Sequence, residues 1–162
     1  MSFPWLNARS HFSLGESLAE PEQLAKAAAE AGLSGILLAD TMTVSGMPEL
    51  FTAAAKAGVK PMIGVRLRVV PELVRERKVK KQAYHLRALI LDQKGWEATL
   101  ALLSLAFDDD HFYEVPRLLL ADVLAAYREG GAALTLGDAY GALQGGFARD
   151  VVEGCRAAGV PL

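Results

Sequence analysis

The sequence predicts an α/β fold with mostly parallel strands, arranged as an incomplete or distorted β/α barrel. Three observations carry this. One phrase recurs: Ala29-Glu30-Ala31-Gly32-Leu33, Ala55-Lys56-Ala57-Gly58-Val59 and Arg156-Ala157-Ala158-Gly159-Val160 each read as a helix end, a glycine cap and the first apolar residue of a strand. Residues 35–39 form a continuous apolar run, which suits a strand covered on both faces. The chain has 162 residues, whereas a closed eight-fold β/α barrel takes roughly 250.

The elements follow in order. Residues 3–6 read as a short buried strand, and 7–20, with three serines and a glycine, as a loop. Pro21 suits a first helical position, and Leu24, Ala27, Ala28 and Ala31 follow at helical spacing. Gly32 stands where a left-handed cap belongs. Residues 35–39 are the second strand, closed by Asp40. Pro48 opens a second helix carrying Leu50, Phe51, Ala54 and Ala57, capped by Gly58. Residues 62–70 are a third strand, alternating Arg66 and Arg68 with Val65, Leu67 and Val69. A basic hairpin or loop spans about 70–83. Strand 84–91 follows, then helix 96–106 with Trp96, Leu100, Leu103 and Phe107 at one-face spacing. Residues 107–116 are a loop, 120–128 a helix, 132–136 a strand and 147–158 a helix. Residues 160–162 begin a strand, so the chain reads as one domain, 1–162, cut in mid-pattern and lacking the last strands of a full barrel.

Composition narrows the function. Hydrophobic residues make up 52% and charged residues 22%, which excludes disorder as the main state. The net charge of −2 excludes a generic polyanion binder. Residues 60–81 nonetheless carry +6, with eight basic and two acidic side chains. Within them Arg75, Arg77, Lys78, Lys80 and Lys81 are the candidates for contact with a nucleic-acid backbone, weighed against a merely solvated hairpin. The lone Cys155 excludes an internal disulfide and four-cysteine zinc sites, and suits a reducing cytoplasm. No signal-peptide pattern opens the chain, and no apolar run approaches a membrane span.

Chemistry in α/β folds sits at the C-terminal ends of strands. Asp40, directly after Ile36-Leu37-Leu38-Ala39, is the most suggestive residue there, weighed against a turn aspartate. His11 lies in the first strand-end loop, His85 begins an apolar strand, and His111 follows three aspartates in what reads as a solvated loop. Glycine-rich phosphate loops and nucleophile elbows are both missing, and Cys155 sits in a helix.

Six phrases, in order over about residues 3–146, together resemble the PHP (polymerase and histidinol phosphatase) domain at the N-terminus of bacterial DNA polymerase III alpha subunits. Residues 6–14, Leu-Asn-Ala-Arg-Ser-His-Phe-Ser-Leu, are similar to its His-x-His-Ser-x-Tyr-Ser-Leu start. Residues 35–41 resemble its strand ending in Asp-His, and residues 57–66 its Ala-Gly-Ile-Lys-Pro-Ile-Ile-Gly-x-Glu. Tyr84-His85-Leu86 resembles its His-Leu strand, residues 95–107 its Gly-Tyr-x-Asn-Leu helix, and Pro116-Arg117 its Lys-Pro-Arg. The resemblance implies a β/α barrel of the PHP type. In active members it implies several metal ions held by His, Asp and Glu, activating water against a phosphoester.

The departures from that pattern set the functional expectation. The opening histidines fall on Asn7 and Arg9, the histidine after the second strand on Thr41, and the glutamate after the third on Arg66. Only Asp40 and His85 keep ligand character. An arginine cannot deprotonate to serve as a ligand. The expectation is a catalytically inactive PHP-like domain with no metal and no other cofactor. It would be a structural scaffold in DNA replication, in or related to a polymerase III alpha subunit, with the polymerase core or other replication proteins as partners. Arg9 and Arg66 are expected to pair with Asp40. A second reading is a divergent metal-dependent phosphoesterase or nuclease using His11, Asp40, His85 and Asp138. A third is a stand-alone adaptor or nucleic-acid-binding protein. The palm carboxylates that polymerisation needs are absent, so this chain alone is not expected to synthesise DNA.

Overall fold

A computed structural model describes residues 2–75, 83–136, 142 and 146–162. Arg77, Lys78, Lys80, Lys81 and Asp138 lie outside them. The chain forms two compact units, Met1–Arg66 and Leu67–Leu162.

The first unit contains β1 (Trp5–Ala8), α1 (Pro21–Glu30), β2 (Gly35–Thr41), α2 (Met47–Ala57) and the start of β3 (Lys60–Val70). The strands run parallel in the order β1-β2-β3, with Gly35 opposite Lys60 and Thr41 opposite Arg66. Gly35 is required by closeness: a β-carbon there would lie 2.7 Å from the Lys60 carbonyl oxygen. Pro21 opens α1, and Glu20 N donates to Gln23 Oε1 at 3.1 Å. Gly58 ends α2 in the left-handed region, φ +72°. The helices press small buried faces together, Leu24, Ala25 and Ala28 of α1 and Met47, Leu50, Ala53 and Ala54 of α2. Phe51, placed by spacing on the apolar face of α2, is exposed.

The third strand departs from its alternating pattern. Val65, Leu67 and Val69 are buried, but so is Arg66, at 2% exposure. A polar–apolar alternation marks a half-buried strand only when one face meets water.

The second unit continues β3 and adds β4 (Tyr84–Ile90), α3 (Gln93–Ala106), β5 (Leu118–Leu119), α4 (Leu120–Tyr127), β6 (Ala132–Thr135) and α5 (Ala148–Ala158). Its strand order is β3-β4-β6, and β5 pairs with β3 in parallel. β4 and β6 pair antiparallel, with Arg87 opposite Thr135, so the sheet is mixed. Residues 160–162 form no strand. Leu134 N donates to the Pro161 carbonyl at 2.8 Å, but Pro161 lacks the N–H that would continue a ladder. Asp92 caps α3 by accepting from Gly95 N at 3.0 Å. Among the described residues no helix is long and apolar enough to cross a membrane.

Two buried tyrosines are expected to make this unit alkali-sensitive. Tyr127 shares a hydrogen bond of 2.8 Å with Thr99 Oγ1, and Tyr84 stacks on Phe147 with ring centroids 4.4 Å apart. Burial pushes both phenols up to about 12, with Asp150 and Cys155 adding to the effect at Tyr84 and the Thr99 bond opposing it at Tyr127. A raised folded-state pKa stabilises the fold fully below the unfolded value near 10 and loses that contribution as pH rises through about 12. Urea titrations between pH 9 and 12 are expected to show stability falling by about 2 kcal/mol per pH unit near pH 11. Tyr127→Phe should halve that slope, and an unchanged slope in the variant would contradict the assignment.

Candidate functional site

The strand-end region of the first unit is organised around two carboxylates. Asp40 ends the buried run of β2 and is itself fully buried. Its donors come from the loop after β1. Ser10 N reaches Oδ1 at 2.7 Å, Ser10 Oγ reaches Oδ2 at 2.6 Å, and Ser13 Oγ reaches Oδ1 at 2.7 Å. The hydroxyls are used again: Ser13 Oγ accepts from Thr41 N at 3.0 Å and Ser10 Oγ from Phe12 N at 3.3 Å. A β-carbon on Gly46 would lie 3.0 Å from Asp40 Oδ2 and 3.1 Å from Phe12, so Gly46 lets the backbone close over the carboxylate. Asp40 thus anchors the loop.

Glu16 is the second carboxylate. Its Oε2 accepts from Arg66 at 2.6 Å, Arg9 at 3.0 Å and the Thr41 hydroxyl at 2.9 Å. The expected pairing of Arg9 and Arg66 with Asp40 is therefore corrected: the arginines share Glu16, and Asp40 takes the serines. The reason is geometric. β2 and β3 are in register, which sets Thr41 beside Arg66 and Asp40 beside Val65. Adjacent residues on a strand point to opposite faces, so Arg66 follows Thr41.

Of the residues singled out in the sequence, Arg9, Thr41 and Arg66 come together and Asp40 lies one residue from Thr41. The His11 ring lies 4.4 Å from that of Phe12, tilted by 30°, and, half-buried, leaves Nδ1 without a hydrogen-bond partner among the described residues. Asn7 sits on β1. His85 is half-buried on β4, in the other unit. Arg75 donates to the Asp109 carbonyl at 2.7 Å. His111 turns from the aspartates that precede it to Asp122, at 3.2 Å. Among the described residues no three His, Cys, Asp or Glu side chains group as a metal site.

Ser10, Ser13 and Glu16 are the site residues that sequence reading missed. A signal for the serines was present, because both match the serines of the PHP opening phrase. That phrase divides physically: its two serines are kept as Ser10 and Ser13, which hold Asp40, and its two histidines are replaced by Asn7 and Arg9.

The comparisons with known proteins agree with the fold. The model of the PHP domain family matches residues 6–157. The DNA polymerase III subunit alpha of Yersinia pestis is 32% identical over 147 residues, 82% of this chain. That of Buchnera aphidicola is 30% identical over 69% of this chain, and that of Helicobacter pylori 28% over 72%. The chain spans only 12% of the length of the Yersinia relative. Among solved structures, a protein assigned as a metal-dependent phosphoesterase from Bifidobacterium adolescentis superposes with a TM-score of 0.63 at 17% identity, covering 99% of this chain and 76% of its own. An amidohydrolase from Chromobacterium violaceum gives 0.62 at 16%, covering 98% and 75%.

Proposed function

The chain belongs to the PHP domain family, and from that premise we propose that it is a catalytically inactive member that serves as a structural and interaction scaffold in DNA replication. The observation that carries this is the ion cluster at the strand ends. Two guanidinium groups, one of them buried, meet one carboxylate where active relatives of the resembling type place metal ligands. Arginine offers no lone pair to a cation and repels it. Asp40, the one retained carboxylate there, already accepts three hydrogen bonds inside the fold. These residues do not fit a metal centre, and no hydrolytic step is derived through one.

The likeness to polymerase III alpha subunits supports a place in, or beside, a bacterial replicative polymerase, with the polymerase core or other replication proteins as partners and the cytoplasm as location. The barrel is incomplete in this reading, and 1–162 acts as one PHP-like module. DNA backbone contact through the basic segment 75–81 is an accessory part of it.

Elemental analysis tests the central claim. Protein purified without chelator and then dialysed against zinc, manganese and iron salts should retain far less than one metal per chain. It should show no metal-stimulated phosphatase or nuclease activity above a mock preparation. Stoichiometric metal that disappears in Asp40→Ala would overturn the proposal in favour of a divergent metallo-enzyme using His11, Asp40 and His85.

A further inference from the structure

Glu16 holds all its partners through one oxygen. Its Oε2 accepts from Arg66 Nη1 at 2.6 Å, from Thr41 Oγ1 at 2.9 Å and from Arg9 Nη1 at 3.0 Å. Among the described residues its Oε1 accepts nothing. A carboxylate has about four acceptor positions, about two on each oxygen. Three donors therefore crowd one end of the group while the other end is idle. Neither arginine makes with Glu16 the bidentate pair that holds a guanidinium best. The donors are also neighbours of one another, since Thr41 Oγ1 accepts from Arg66 Nη1 at 3.3 Å. Arg66 forms a floor, with its side chain 2% exposed, and Arg9, 32% exposed, a side open to water.

Such a donor set suits an anion with more oxygens than a carboxylate offers. A terminal phosphate group has three unesterified oxygens, one for each donor, whereas a backbone phosphodiester has two. We propose that Arg9, Arg66 and Thr41 form a binding site for a terminal phosphate group, and that Glu16 is the internal carboxylate that fills the site until phosphate displaces it. Arg66 is already out of water, so binding adds little desolvation on that side. Glu16 can leave by turning its side chain alone. Its backbone stays fixed by Glu16 N donating to the Ser13 carbonyl at 2.9 Å, and Leu14 and Gly15 on the same turn are exposed. Asp40 is the opposing charge, next to Thr41 in sequence. Three donors offset it, and its side chain leaves β2 on the other face from Thr41. The inference rests on the metal-free reading of this site: arginines hold the phosphate, and nothing hydrolyses it.

Calorimetric titration of the whole chain with inorganic phosphate, in the presence of EDTA, tests it. One saturable site is expected. Glu16→Gln removes the competing charge and should tighten binding severalfold. Arg9→Gln, a change on the open side, should weaken it about tenfold, the loss of one charge-assisted hydrogen bond. Acetate should bind more weakly than phosphate. Methyl phosphate separates the two sources: binding like that of phosphate assigns the site to monoesters, and binding of phosphate alone assigns it to the free ion. Phosphate should also raise the melting temperature of Glu16→Gln more than that of the parent chain, a reading that survives a loss of stability in the variant. The proposal is overturned by no saturable binding to either chain, by an affinity that Arg9→Gln leaves unchanged, or by acetate binding as tightly as phosphate. Because EDTA is present, failure here leaves the result of the elemental analysis standing, and retained metal there would count against the metal-free reading on its own.

Discussion

Gly95→Ala is expected to destabilise the second unit by about 4 kcal/mol or more, a cost confined to changes with a specific steric cause. The cause lies between two backbones. A β-carbon on Gly95 would lie 1.8 Å from the carbonyl oxygen of Gly131 and 2.4 Å from its carbonyl carbon. Neither atom belongs to a side chain that can rotate away. Gly131 has φ +84°, and its carbonyl already accepts from Leu91 N at 2.8 Å. Any retreat would break that bond and disturb the Asp92 cap on the same turn. Gly154→Ala is the control. Its new β-carbon would meet only the end of the Leu124 side chain, at 2.7 Å. A rotamer change relieves that contact, and alanine gains about 1 kcal/mol of helix propensity over glycine, so the net change should stay within about 1 kcal/mol. The chain has two tryptophans, Trp5 in the first unit and Trp96 in the second. Urea unfolding followed by Trp96 emission in a Trp5→Phe background therefore reads the second unit. A Gly95→Ala midpoint equal to the parent's would refute the steric argument.

The same pair of glycines shows where sequence reading reaches its limit. Gly130-Gly131 follows the helix in which Tyr127 is the last residue, and both glycines have positive φ, but nothing local shows that Gly131 must touch Gly95, thirty-six positions earlier. Helices and glycine caps were legible because they are local: Pro21, Gly58 and Gly159 each act within one turn. Strand direction was not. The runs that became β4 and β6 carry the same apolar signal whether paired parallel or antiparallel, and β5 is only two residues long. Alternation alone does not show that Arg66 is buried, because alternation records composition, and burial depends on what covers each face. At the site, the departures from the family phrase at Asn7, Arg9, Thr41 and Arg66 were legible. The identity of the arginines' partner was not, because Glu16 lies fifty positions from Arg66 and meets it only through loop closure and strand register.

Replacing Asp40 should separate a structural carboxylate from a vestigial ligand. Asp40→Ala would leave Ser10 N buried without an acceptor and remove the acceptor from two serine hydroxyls. Breaking such a network should cost about 3–5 kcal/mol. Asp40→Asn is milder, for a reason visible in the geometry. Ser10 N and Ser13 Oγ both donate to Oδ1, which an asparagine oxygen can replace. Among the described residues only Ser10 Oγ donates to Oδ2, and a hydroxyl can turn to accept from an amide instead. The asparagine variant should therefore lose about 1–2 kcal/mol. A metal ligand predicts a different order. Metal bound only by the folded state raises the melting temperature, so manganese or zinc would stabilise the parent chain and not the asparagine variant. The expected result is that the two melting curves keep the same separation with and without added metal, with alanine well below both. A carboxylate at a strand end can coordinate only with the lone pairs that its own fold leaves over. At Asp40 the loop serines occupy three of about four acceptor positions, and Gly46 packs against the oxygen that carries only one of them.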